Sequence, residues 1–173
     1  VRIIIDTNIP IVANRRDSPQ ASFQCIKACE QLIQEIIDGG KYVLVLDNKR
    51  QITNEYMRKL NLSGRPGIGD AFLNWVMRNR WNPECCEQVE ITLKADAQHA
   101  SDFTAFPTDP RLAKFDLSDR KFVAVALTHP AKPPIYNAVD TDWRDFQEAL
   151  EAHGVKVIFL CPEAMLPNSK GET

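Results

Sequence analysis

Six acidic residues fall where carboxylates from distant parts of the chain can meet. Asp6 closes an apolar run, Asp140 and Asp142 follow a second one, and Asp116 and Asp119 stand three apart just ahead of an apolar helical stretch. Glu55 lies two turns into a helix beside the apolar residues Ile52 and Tyr56. Carboxylates a few ångströms apart repel by several kcal/mol at an effective dielectric of about 20, which raises their pKa values unless a cation neutralises them. Mg²⁺ and Mn²⁺ are hard ions that favour such oxygen ligands and complete their shells with water and phosphate. An ion held this way can acidify a bound water and stabilise charge on a leaving oxygen, so phosphodiester hydrolysis is the natural chemistry. Each acid also has a plainer role: Asp after a strand commonly caps a helix or completes a turn. The functional case rests on the set.

The elements that must position these acids are legible from periodicity. Val1–Ile5 is apolar at almost every position, as expected of a central parallel strand covered on both faces. Helical spacing of Phe23, Ile26, Leu32, Ile33, Ile36 and Ile37 predicts a helix from about residue 18 to 38, stopped by Gly39-Gly40. A strand is expected at 42–46, then a helix capped by Asp47 or Asn48 and carrying Ile52, Tyr56, Met57 and Leu60, then another helix at about 69–80. Residues 88–93 alternate like a strand, and 96–115 read as loop with room for a short helix. Residues 116–127 read as a helix with Asp116 and Asp119 on one face of its first turn, 135–139 as a strand, 142–153 as a helix and 155–160 as a closing strand. Strands alternating with helices predict an α/β three-layer sandwich, a central parallel sheet of about five strands with helices on both faces. In such sheets ligands gather at the carboxyl ends of the strands, near the point where strand order reverses. Asp6 and the acids after residue 139 emerge at that edge.

Bulk properties exclude several classes. The chain has 173 residues, 44% hydrophobic and 25% charged, which suits one folded domain over 1–165 with 166–173 as a flexible tail. No apolar run approaches the roughly 20 residues of a membrane span, and Asp6 interrupts the first run too early for a secretory signal. The expectation is a cytoplasmic protein without a membrane partner. Net charge is −2, so any contact with nucleic acid must be local. Residues 49–80 carry seven cations against two acids, a net of +5, whereas residues 84–109 carry six acids and one lysine, a net of −5. The five cysteines, Cys25, Cys29, Cys85, Cys86 and Cys161, form no compact framework and are read as reduced thiols. Cys25 and Cys29 offer two sulfurs on one helix, but no second pair accompanies them.

Four strings carry a resemblance to a known family. IIIDTNIPI resembles the first motif of PIN domains, an apolar strand ending in Asp-Thr-Asn, and ITNEYMRKL resembles the second, with a Glu on an early helix. DRKFVAVAL is similar to the third and VDTDWRDF to the fourth. They occur in order between Val1 and about Cys161. The resemblance implies a metal-dependent ribonuclease using Mg²⁺ or Mn²⁺, with Asp6, Glu55, Asp119 and Asp142 as metal ligands or water-activating carboxylates. Thr7 or Asn8 would position phosphate or fix Asp6. Asp140 stands where a Thr is common in the fourth motif, so Asp140 is able to replace or supplement Asp142, with Asp116 nearby. Arg50 and Arg58, in the basic stretch, are candidates for holding RNA backbone. The toxin of a toxin–antitoxin pair, with an antitoxin or other protein partner, is one context the resemblance leaves open, as is a homodimer.

Other readings compete. A catalytically inactive PIN-like module that binds RNA or a protein is the main alternative, because a fold can outlive its metal site. A phosphatase with a nucleophilic Asp6 would want Asp two residues on, where Asn8 stands. Asp47 resembles the acceptor of a phospho-receiver, and GRPGIGD lacks the Lys-Ser/Thr of a phosphate-binding loop. His99, His129 and His153 have no ligand spacing, and Trp75, Trp81 and Trp143 fit the core or its edge better than base stacking.

Overall fold

The computed structural model describes residues 1–16, 18–63 and 65–165. Five short strands, β1 (Arg2–Ile5), β2 (Val43–Asp47), β3 (Cys86–Val89), β4 (Ile135–Asn137) and β5 (Val157–Phe159), form one sheet in the order β3-β2-β1-β4-β5. Every pairing is parallel. Ile3, Ile4 and Ile5 of β1 and Leu44, Val45 and Leu46 of β2 are all buried. Successive strand side chains point to opposite faces, so burial of consecutive residues means that both faces are covered. Each such side chain contributes about 1.5–3 kcal/mol relative to an exposed one.

The covering layers are α1 (Asn8–Ala13), α2 (Phe23–Asp38), α3 (Gln51–Lys59), α4 (Ile68–Asn79), α5 (Arg120–Thr128), α6 (Asp142–Asp145) and α7 (Gln147–Ala152). The first two and α4 pack on one another, α3 lies against β2, and α5 against β2 and β4. The result is an α/β fold consistent with a three-layer sandwich. Strand order reverses between β1 and β4, so their carboxyl ends lie side by side at the switch point.

Local chemistry sets most boundaries. Ser22 caps α2 by accepting from the Cys25 N–H at 3.0 Å, so that helix begins at Phe23 rather than near residue 18. Gly39 ends it at φ +80°, a left-handed conformation that costs glycine least. Both Asp47 oxygens accept from the first turn of α3, Gln51 and Ile52 N–H at 2.8 Å each, which assigns Asp47 to capping.

Several expectations are corrected. Helix α1 was not anticipated: its apolar residues run on from the strand motif, and Pro10 sits in the first turn, where its missing N–H costs nothing. The third strand is Cys86–Val89 rather than 88–93, and the expected helix over 142–153 is broken at Phe146 into α6 and α7. Helix α5 starts at Arg120, so Asp116 and Asp119 precede it instead of sharing a face of its first turn. Cys25 and Cys161 form a disulfide, contrary to the reading of five reduced thiols. Their 136-residue separation hid the pairing, and closing so long a loop is worth about 4–5 kcal/mol in the chain-entropy account. The expected tail over 166–173 lies outside the described residues.

Candidate metal centre

Asp6, Asp119 and Asp140 each bring a carboxylate oxygen to within 4.8 Å of the others. They come from three elements: Asp6 leaves β1, Asp140 follows β4, and Asp119 stands immediately before α5. Asp6 and Asp119 are buried and Asp140 is half-buried.

Asp6 is held from several sides. One oxygen accepts from the Asn8 N–H at 2.8 Å and from Asn8 Nδ2 at 2.7 Å, and the other accepts from Trp143 Nε1 at 2.7 Å. Asn8 also bonds across the switch point, donating to Asn137 Oδ1 at 2.6 Å and accepting from the Ala138 N–H at 2.8 Å. Asn137, fully buried, donates in turn to the Asp140 backbone oxygen at 2.9 Å, and Asp140 Oδ1 accepts from the Asp142 N–H at 2.9 Å. The ends of β1 and β4 are thereby clasped by two asparagines. Trp143 is locked by edge contacts with Phe115 (5.1 Å between centroids) and Phe122 (6.4 Å).

The electrostatics follow from burial first and mutual repulsion second. Loss of water pushes Asp6 up to about 7, against the lowering effect of its hydrogen bonds to Asn8 and Trp143, with Asp140 and Glu55 adding to the rise. Burial, then the charges of Asp6 and Asp140, pushes Asp119 up to about 9. Asp140 is also raised, chiefly by burial, with Asp142 and Asp116 adding to the rise. Both Asp6 oxygens accept from fixed donors, which favours its ionised form. Asp119 accepts no side-chain hydrogen bond among the described residues, so nothing of that kind offsets the burial that raises it.

Glu55 stands beside this triad rather than in it. Tyr56, fully buried, donates to the Ile5 backbone oxygen at 2.5 Å and so ties α3 to the end of β1. The preceding Glu55 accepts from Thr7 Oγ1 and forms an ion pair with Lys121 Nζ, which also donates to the Ser118 backbone oxygen. Asp142 lies outside the tight group, touching it through its backbone N–H. Asp116 is exposed, and its carboxylate accepts from the Ser118 N–H and hydroxyl at 2.6 Å each. Of Asp140 and Asp142, the structure brings Asp140 to Asp6 and Asp119.

Two depressions flank the triad. One, of about 560 Å³, is lined by Asn8, Arg16, Lys59, Asp140 and Thr141 among others. The second, of about 360 Å³, is lined by Glu55, Arg58, Phe103, Ser118 and Lys121 among others. Arg58 is thus beside Glu55, whereas Arg50 is exposed at the start of α3 with φ +65°.

Asn137, Trp143, Tyr56 and Lys121 are site residues that sequence reasoning did not assign. Trp143 lies one residue after Asp142 and Lys121 two residues after Asp119, so proximity to the candidate acids was the available signal. Asp47 and fully buried Asp70 show the converse: Asp70 accepts from Asn14 Nδ2 and the Asn61 N–H at 2.8 Å each and pairs with Arg16, purely as a brace.

Compared with known proteins, the chain matches no family model, no curated protein and no solved structure.

Proposed function

We propose that this protein is a divalent-metal-dependent nuclease acting on RNA, and the observation that carries the proposal is the convergence of Asp6, Asp119 and Asp140 at the switch point of the sheet. Three oxygen donors with burial-raised pKa values fit a hard cation, because a cation is what makes their simultaneous ionisation favourable. Asp6, Asp119 and Asp140 would hold Mg²⁺ or Mn²⁺, with Asp142 and Asp116 at the margin. When bound, such an ion activates water and stabilises negative charge on phosphate oxygens.

The chain's own groups do the rest. Asn8 and Trp143 aim Asp6 and offset part of the burial that raises it. Thr7 and Lys121 hold Glu55 at the edge of the triad, from where its carboxylate would accept a proton from water, with the Lys121 ammonium balancing its charge. Arg16 and Lys59 on one side and Arg58 on the other would hold the flanking phosphates, giving affinity that falls with salt. RNA as the substrate comes from the PIN-like motifs; the carboxylate geometry supports phosphodiester hydrolysis in general.

The test is incubation of wild-type protein and Asp6→Asn with a mixed RNA pool and Mn²⁺. Cleavage by wild type alone is expected, and equal cleavage by both overturns the proposal. A second reading, an inactive PIN-like module that binds RNA or a protein, is favoured by the existing neutralisation of Glu55 by Lys121. Saturable Mn²⁺ binding lost in Asp6→Asn, with no cleavage by either protein, would select it.

A further inference from the structure

Besides the acidic triad, the fold makes a second cluster: α2 and the segment after β5 bring three sulfurs together. Cys25 and Cys29 stand one turn apart on α2, and Cys161 follows β5. All three are buried, and their sulfurs lie within 4.8 Å of one another. Cys25 and Cys161 are joined, and Cys29 is a free thiol against them. The two remaining cysteines, Cys85 and Cys86, are at β3, the opposite edge of the sheet from β5.

We propose that in the reduced chain Cys25, Cys29 and Cys161 form a binding site for a thiophilic divalent cation of the Zn²⁺ type, exclusive with the Cys25–Cys161 disulfide. A disulfide needs two sulfurs, and the third is what this cluster adds. Three buried thiols without a nitrogen donor in the group select a soft ion over Mg²⁺ or Mn²⁺, so this site and the acidic triad discriminate by ligand chemistry. Bound at about 2.3 Å each, tetrahedrally disposed sulfurs sit about 3.8 Å apart, within reach of the observed group by shifts of about an ångström or two. A divalent ion with three thiolates leaves one net negative charge in the core, whereas a monovalent ion would leave two. The fourth position falls to water or to Glu163, which accepts from Ser22 Oγ at 2.7 Å at the start of α2.

The chemistry balances in two steps. A small dithiol reductant takes the disulfide to two thiols and becomes a disulfide itself. The three thiols then give up three protons as the divalent ion forms three metal–sulfur bonds. In both forms, the short 3-10 turn Pro162–Met165 is pinned to α2 through Cys161.

Cd²⁺ is the probe, because thiolate-to-cadmium charge transfer absorbs in the ultraviolet and carboxylate-bound Cd²⁺ does not report there. Titrating the reduced full chain should give a band that saturates at one equivalent and is displaced by Zn²⁺. The band should be lost in Cys29→Ser, with affinity down by roughly 100-fold or more, beyond the loss typical of outer-shell changes. It should persist in the Cys85→Ser/Cys86→Ser double variant and be absent from the oxidised chain. Zn²⁺ should also raise the melting temperature of the reduced wild type and not of Cys29→Ser, including the case in which the reduced chain folds only with metal. A band unchanged in Cys29→Ser, a band that needs Cys85 or Cys86, or neither band nor thermal shift in the reduced chain would overturn the proposal. Oxidised Cys29→Ser retains the disulfide and serves as the folding control.

Discussion

Replacing Asp119 by Asn should stabilise the metal-free protein at neutral and alkaline pH while abolishing its response to Mn²⁺. The folded protein holds Asp119 up to about 9, from an ordinary value of 3.8. Between those values the folded state binds a proton that the unfolded state has lost, so stability falls as pH rises through the window. Each pH unit inside it costs about 1.4 kcal/mol for one fully shifted group. Asp6, pushed up to about 7, contributes in the same direction over the lower part of the range. Because the pair shares its repulsion, a joint loss of about 2–4 kcal/mol between pH 5 and pH 8 is expected. The substituted amide carries no charge and also relieves Asp6, so the metal-free variant should exceed wild type at pH 8 by about 2 kcal/mol or more. For a chain of this size that is roughly 4–8 °C in melting temperature. The assay is thermal unfolding in chelator from pH 4 to 8, repeated with Mn²⁺. Towards pH 4, near the ordinary value of 3.8, the two proteins should converge, and added Mn²⁺ should raise the wild type alone. A wild-type curve flat with pH, or a variant no more stable than wild type at pH 8, refutes the electrostatic account of the triad.

Further outcomes follow from the same geometry. Metal binding at pH 7 should release protons, since Asp119 must ionise; calorimetry in buffers of different ionisation enthalpy should show release of about one proton or more, and proton-neutral binding contradicts the assignment. Trp143→Phe removes the donor to Asp6 and should cost about 1–3 kcal/mol in stability, measured by denaturant unfolding, and weaken Mn²⁺ binding. Lys121→Met leaves Glu55 without its buried partner and should destabilise by about 3–5 kcal/mol near neutral pH, a loss that Glu55→Gln in the same chain should largely reverse. Lys59→Ala should weaken RNA binding across sequences and reduce the salt slope by about one, as read from binding isotherms at several salt concentrations.

The sequence by itself determined the alternation of strands and helices, the parallel sheet, and the positions of Asp6 and Asp140 at strand ends, because burial on both faces imposes apolar runs and strand ends impose polarity. It also identified the six acids from which the triad is drawn. Only the tertiary structure decided which of them meet. Asp140 and Asp142 are two residues apart and chemically alike, and the choice rests on the clasp made by Asn8 and Asn137 across strands separated by more than a hundred residues. The same holds for the donor from Trp143 to Asp6, for the Lys121 ammonium on Glu55, and for the joining of Cys25 to Cys161. Periodicity reports which face of an element is buried, a local property; which side chains touch across elements depends on strand order and helix placement, and these are settled only when the whole core closes.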